Sequence, residues 1–278
     1  MGAADVPIRG RSIVSTITQG MDQQYSDSSR LAARARLHGF GRAEVPWFTW
    51  VAQQIPMQQQ GGSVLDVGCG PAWFWPEAAP VLTSGIELTL FDQSPGMVTE
   101  ALARCSLLPF TSLKGQTGDA AHLPFADGSF DVVIAMHMMY HVADQEGAMA
   151  EFHRVLTPGG ALVVTTNGRE NMRELYRLTT VFGSAPHDPS AESFDLDRAQ
   201  ALMRAAFGNV TLAIHPDIMD VTDPETVFLA LTSYPPGDRA PPEQQQTFRT
   251  AIENALAAGG GRINVTKQVG LLASRKLA

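Results

Sequence analysis

Cysteine is nearly absent: only Cys69 and Cys105 occur among 278 residues, far apart and outside any CxxC. That excludes a disulfide framework and a zinc ribbon, and no other spacing points to a metal. No apolar run approaches the roughly 18 residues that cross a bilayer, so no membrane partner is expected. Met1 to Ser12 lack a signal-peptide core, and Val6 stands where a myristoylation signal requires Ser or Thr. The cytoplasm is the expected compartment. Positive charge is also scarce, with 20 Lys and Arg against 28 Asp and Glu and a net charge of −8. Such a balance opposes phosphates and gives no nucleic-acid footprint, although it leaves room for one local basic pocket. Internal repeats and long low-complexity tracts are missing as well. What is present is 44% apolar residues in a chain long enough for one large α/β domain with an appendage, or two small domains.

Between residues 60 and 170 short β-type runs alternate with helical stretches. Strands are predicted at Ser63–Val67, Glu87–Phe91, Thr111–Gln116, Phe130–Met136 and Gly160–Thr166. Several are continuous apolar runs, as strands covered on both faces should be. Helices are predicted at Trp73–Leu82, which Pro76 and Pro80 interrupt, at Pro95–Cys105 and at Glu146–Leu156. Ser94 reads as an N-cap before Pro95, and Thr157-Pro158-Gly159-Gly160 as a stop and turn. The alternation implies a parallel sheet with right-handed crossovers. Before it, helices are expected around Ser29–Leu37 and Pro46–Ile55, broken by Gly39-Phe40-Gly41. After it come helices near Asn171–Phe182 and Leu196–Ala206 and a strand near Val210–Ile214. Helices at Pro224–Ser233 and Glu243–Ala258 and a final strand, Arg262–Ala273, follow.

The most informative segment is Val64-Leu65-Asp66-Val67-Gly68-Cys69-Gly70-Pro71-Ala72, a strand running through a Gly-containing turn into a helix. That is the outline of a nucleotide-binding βα unit. A dinucleotide fingerprint must host a pyrophosphate in this turn, and a carboxylate inside it would repel that dianion. Asp66 stands just before the turn, and Trp73 occupies the place of the third glycine in G-x-G-x-x-G. An acid here suits a ligand with a cationic end and no phosphate, such as S-adenosylmethionine. At an effective dielectric near 20, a charge pair at 4 Å interacts by about 4 kcal/mol before desolvation. Asp92 ends the second strand, where a carboxylate can accept both ribose hydroxyls. In Gly118-Asp119-Ala120 an Asp can accept from the adenine amino group while the next backbone N–H donates to the ring. Met97 and Leu123 can sandwich the adenine plane.

VLDVGCGPAWFW, LTLFDQSPGMV, TGDAAHLPFADGSFDVVIAMHMMYHV and HRVLTPGGALVVTT together resemble the successive motifs of class I S-adenosylmethionine-dependent methyltransferases. The branch resembled includes ubiquinone and menaquinone C-methyltransferases and tailoring enzymes of bacterial small-molecule pathways. The resemblance is specific over residues 63–166, and a narrower one covers YSDSSRLAARARLH and TTNGRENMREL. It implies a Rossmann-like, seven-stranded, mostly parallel sheet with helices on both faces and the last strand antiparallel, slotted between strands five and six. An N-terminal helical cap over residues 1–60, a cofactor-binding core over 61–170 and a C-terminal half over 171–278 follow from it. By the same pattern Asp66, Gly68 and Gly70 hold the methionyl end, Asp92 the ribose, and Asp119 with Ala120 the adenine; Cys69, Gln93, Met97 and His137 are the further residues expected at the cofactor. Tyr25 and Arg34 match the narrower likeness and fold over the cofactor, with Arg34 pairing its carboxylate and Arg30 and Arg36 competing for that role. Ala72 departs from the glycine often found there. The stretch from Asp220 to Gly261 exceeds the usual hairpin and is expected to form a lid or an oligomer contact.

The fourth strand ends in Met136-His137-Met138-Met139-Tyr140-His141, beyond the carboxyl end of the sheet where ligands bind. Methyl transfer is an in-line displacement from a good leaving group, so alignment and exclusion of water supply most of the catalysis. A base is needed only if the nucleophile must lose a proton, and imidazole suits neutral pH. His137 is the expected residue at cofactor and acceptor, with His141 or Tyr140 nearby. Trp47, Trp50, Trp73 and Trp75 point to an apolar or aromatic acceptor, and the aromatics near the start to a homodimer. The leading expectation is methyl transfer to a small molecule in bacterial metabolism, with S-adenosylhomocysteine as product. RNA or protein methylation, a cofactor-binding module without turnover, and a nicotinamide dehydrogenase are the alternatives, the last disfavoured by Asp66.

Overall fold

A computed structural model describes residues 29–57 and 61–277. Tyr25 and the Met1–Ser12 segment lie outside the described residues, as does the side chain of Arg30. The framework is a seven-stranded sheet of order β3-β2-β1-β4-β5-β9-β6. Its parallel half is β1 (Gly62–Val67), β2 (Ile86–Asp92), β3 (Ser112–Thr117), β4 (Phe130–Met136) and β5 (Leu156–Asn167). The last strand, β9 (Val269–Arg275), runs antiparallel between β5 and β6 (Thr211–Ile214). Val64, Leu65, Val133, Ile134, Leu162 and Val163 are buried because helices cover both faces of the central strands.

One face packs on α5 (Gln145–Val155) and α7 (Leu196–Phe207), with Phe152, Phe194 and Met203 at the centre. The other packs on α2 (Trp47–Gln54), α3 (Phe74–Ala78) and α4 (Pro95–Cys105), around Val51, Trp75 and Ala101. Helix α4 starts as its sequence dictates: the Ser94 side chain accepts from the Met97 N–H, and Pro95 takes the first turn, where no N–H is needed. Asp144 and Asp195 cap α5 and α7 in the same way.

Three expectations change. The helix drawn from Trp73 to Leu82 is only Phe74–Ala78, because Pro80 can neither donate to the ladder nor leave its predecessor comfortably helical. The helix drawn from Asn171 to Phe182 is α6 (Arg173–Leu178) followed by a tighter 3-10 turn, Thr179–Phe182. The single final strand Arg262–Ala273 divides into β8 (Ile263–Thr266) and β9. Glu174 Oε2 accepts the Thr266 N–H at 2.9 Å and Asn171 Oδ1 accepts the Gln268 N–H at 3.0 Å, which draws the backbone off the sheet ladder at Lys267. Strand β8 then pairs with β7 (Ile218–Val221), a strand the sequence pattern did not reveal, in a separate two-stranded sheet.

This small sheet belongs to a third core. Leu37 of α1 (Ser29–Leu37), Leu175 of α6, Val227 of α8 (Pro224–Leu231) and Phe248 of α9 (Pro242–Ala258) meet Met219 and Val265 there. The insertion between β6 and β9 and the helix before the sheet are thus one packed unit. Among the described residues no helix is long and apolar enough to cross a membrane.

Candidate functional site

The chain leaves β1 through a turn with three consecutive demands on its backbone. Gly68, Gly70 and Ala72 all have left-handed φ, at 65°, 52° and 57°, and only the first two lack a side chain that resists it. The turn amides point inward. Gly68 and Cys69 donate to the Phe91 carbonyl at 2.7 and 3.1 Å, and Gly70 donates to Asp92 Oδ2 at 2.9 Å. A phosphate cradle needs such N–H groups aimed outward, so this turn offers none from these three residues. Gly68 also lets the backbone approach β4's end: a Cβ there would meet Met138 Cβ at 2.6 Å. Gly68→Ala is expected to cost about 1–3 kcal/mol of stability, read from a urea midpoint, and to weaken cofactor binding more than tenfold.

Beside this turn lies a cleft of about 520 Å³, within the range of small-molecule sites. Of the residues singled out from sequence, Asp66, Gly68, Cys69, Gly70, Asp92, Gln93, Met97, Asp119, Ala120, His137, Tyr140 and His141 all line it. Asp66 is almost wholly buried, and its Oδ2 accepts the Trp75 indole N–H at 2.8 Å. Burial pushes its pKa up to about 7, partly opposed by that hydrogen bond and reinforced by the Asp92 charge. Asp92 is also raised by burial and lowered by N–H groups of Ser94, Gly70 and Gln93. Burial keeps Cys69 a thiol.

On the opposite wall Asp119 keeps 64% of its side chain exposed. The Ala121 N–H, then His122, holds its carboxyl below the ordinary value. The N–H of Ala120 has no partner among the described residues. An acceptor followed by an open donor is the pattern an adenine edge requires. The loop carrying this pair is clamped from α5, which sequence inspection did not single out. Arg154 donates to both Glu151 oxygens at 2.7 Å, to the Phe125 and Leu123 carbonyls at 2.7 and 2.9 Å, and to Asp127 at 2.8 Å. Glu151 Oε2 in turn accepts the Leu123 N–H at 2.8 Å. From sequence, Glu151 and Arg154 at i and i+3 read as an ordinary surface pair.

His137 follows β4 with a left-handed φ of 49°, uncommon for a residue with a side chain. Its N–H donates to the Thr165 carbonyl of β5 at 3.0 Å. Its ring lies 5.7 Å from Trp47, and no hydrogen bond to its ring nitrogens occurs among the described residues. Burial, then the charge of Lys267, lowers its pKa to about 4. His141 packs edge-on against Tyr140 at 4.5 Å, and burial followed by Arg34 lowers it to about 3.

The four tryptophans separate. Trp73 lines the cleft, Trp75 is fully buried beneath the turn, and Trp47 and Trp50 stack on each other at 5.6 Å. Arg34 is not brought to the cleft lining; its guanidinium stands 5.6 Å from the Tyr234 ring centroid, in the third core. Leu31, one turn earlier on α1, reaches the cleft with Phe48 of α2. Among the described residues no cluster of His, Cys, Asp and Glu is arranged to hold a metal.

Comparison with known proteins decides the family of this core. Residues 65–164 match the family model described as a methyltransferase domain. Over these residues the chain is similar to a methyltransferase domain. The methyltransferase domain is similar to malonyl-[acyl-carrier protein] O-methyltransferase of Erwinia billingiae, 35% identical over 121 residues, 42% of this chain and 44% of that protein. It is also similar to demethylmenaquinone methyltransferase of Beutenbergia cavernae, 38% identical over 104 residues, 37% and 40% of the two chains. The chain thus spans less than half the length of these two relatives. The fold extends beyond the methyltransferase domain. A solved phosphoethanolamine N-methyltransferase 2 of Haemonchus contortus, in complex with S-adenosyl-L-methionine, superposes with a TM-score of 0.58 at 16% identity. That match covers 96% of this chain and 61% of the other.

Proposed function

We propose that this protein binds S-adenosylmethionine in the cleft and transfers its methyl group to a small-molecule nucleophile. The observation that carries the proposal is the turn after β1, whose three amides face inward while a buried carboxylate stands beside it. This arrangement suits an ammonium and opposes a diphosphate. When bound, the cofactor supplies an electrophilic methyl on a sulfonium. Asp66 balances the cationic methionyl end, and Gly68 and Gly70 let it lie against the backbone. Asp92, already fixed by the backbone N–H groups of Gly70, Ser94 and Gln93, retains a lone pair for the ribose hydroxyls. Asp119 and the Ala120 N–H meet the adenine edge, over Met97.

His137 is neutral at physiological pH and keeps its ring nitrogens for the acceptor, orienting its nucleophile and taking a proton where one must leave. Its strained backbone supports such a role, because strain of this kind gathers at functional sites. The unit built from α1 and the insertion caps the cleft, with Leu31 and Phe48 at its rim. Small acceptors and bacterial metabolism are supported by the names of the relatives. The test is calorimetry with S-adenosylhomocysteine and with NADH. Micromolar binding of the first and none of the second is expected; a preference for NADH, or an empty cleft in both titrations, overturns the proposal.

A further inference from the structure

The structure brings a lysine to the acceptor side of the sheet that no motif marks. Lys267 sits in the short link between β8 and β9. Strand β9 lies beside β5, where Thr165, the residue that receives the His137 N–H, is registered with Leu271. The ammonium is therefore held at the edge of the sheet that carries His137, and its charge is felt by that imidazole. Its Nζ lies 3.2 Å from His38 Nδ1. An ammonium has three protons and no acceptor, so Nδ1 must accept, and this places the His38 proton on Nε2. No carboxylate stands within ion-pair distance of Lys267 among the described residues.

The acids nearby are committed elsewhere. Asp188 accepts from Asn167 at 2.7 Å and from the N–H and hydroxyl of Ser190 at 2.9 and 2.7 Å. Asp217 accepts the Arg42 N–H at 2.9 Å. Burial lowers Lys267 to about 8, with Asp217 and Asp188 opposing, so it stays mostly charged at neutral pH. Burial, Lys267 and His137 lower His38 to about 3, although its ring keeps exposed surface. Two ammonium protons are thus left for a ligand, and a half-buried cation without an anion is a costly arrangement for the protein alone.

The flanking wall is aromatic. Trp47 stacks on Trp50 with 19° between their planes, and the His215 ring meets both edge-on at 5.3 and 5.1 Å. The Val45 carbonyl fixes that ring through Nε2 at 2.9 Å. The His215 backbone N–H bonds the Val269 carbonyl at 3.0 Å, which ties this wall to the segment carrying Lys267.

From a planar aromatic wall adjoining a cation with unused donors, we infer that the acceptor is an aromatic acid, its anionic group held by Lys267 and its ring set against Trp47 and Trp50. The inference rests on the methyl-transfer proposal for the meaning of "acceptor", and its test separates the two. Benzoate, 4-hydroxybenzoate, salicylate and indole-3-acetate, each beside its neutral amide, are titrated calorimetrically into the full chain with and without saturating S-adenosylhomocysteine. At least one acid is expected to bind ten times more tightly than its amide, and Lys267→Met to abolish that gap while leaving S-adenosylhomocysteine affinity within twofold. Lys267→Gln, with thermal melts of both variants, guards against misfolding. Parity of every acid with its amide, or a preference that survives in both variants, overturns the acid pocket. Failure of S-adenosylhomocysteine to bind overturns the methyl-transfer proposal instead.

Discussion

At pH 8 an Asp66→Asn variant is expected to melt above the wild type and yet to bind S-adenosylhomocysteine about a hundredfold more weakly. The gain in stability follows from linkage. Asp66 is held near 7 in the folded protein, above the ordinary carboxylate value, so the native state keeps a proton that the unfolded chain has already released. Stability is therefore lost as pH rises from about 4 to about 7, and above 7 the full cost of roughly 4 kcal/mol is present. Asparagine carries no charge to desolvate and removes the repulsion from Asp92, while its carbonyl still accepts the Trp75 N–H. Its amide protons lack an assured partner, which returns about 1–2 kcal/mol of the gain.

A net gain of about 2 kcal/mol is expected at pH 8, shrinking to nothing near pH 5. The loss of binding comes from the ammonium, whose attraction to a carboxylate at 4 Å is about 4 kcal/mol before desolvation. Wild-type affinity should also fall about tenfold per pH unit below 7, as Asp66 takes up its proton, and the variant should lack this dependence. Melting curves and calorimetry from pH 5 to 8 check both halves. A variant that binds like the wild type removes Asp66 from the methionyl site.

Arg154→Met is expected to cost about 3 kcal/mol and to weaken S-adenosylhomocysteine roughly tenfold. Arg154 is 30% exposed, so the screened charge contributes modestly, but its guanidinium donates five hydrogen bonds, two of them to loop carbonyls that no other group serves among the described residues. Methionine retains the stem and none of the donors. Hydrogen exchange should rise across residues 118–128 and not in α4, which separates a loosened adenine loop from general unfolding. Arg154→Lys should recover little, since a point charge cannot span Glu151 and both carbonyls. Unchanged exchange in that loop, with only stability reduced, sinks the positioning role.

Much of the parallel half was readable because its signals are local. Ser63–Val67 and Phe130–Met136 are mostly apolar runs bounded by turn residues, and Ser94-Pro95 announces a helix. The third core had no such signal. Leu37, Met219 and Phe248 are each ordinary apolar residues, and only the tertiary fold makes them neighbours. His38 and Lys267 are 229 residues apart, and neither stands in a motif. The break at Lys267 was hidden for a related reason: side chains of Asn171 and Glu174, distant in sequence, capture the backbone there. Arg34 lies over the Tyr234 ring while its charge is also felt by His141 in the cleft, a double placement that no sequence spacing foretold.

Among the described residues strand β6 has no neighbour in the sheet except β9, and β9 alone joins it to β5. During synthesis the sheet therefore stays unsealed until Val269–Arg275 has left the ribosome, and Lys267 emerges only just before it. A single cut between Thr266 and Val269 would reopen that seam and unseat the lysine at once, so that molecules cut there should be silent rather than merely slow.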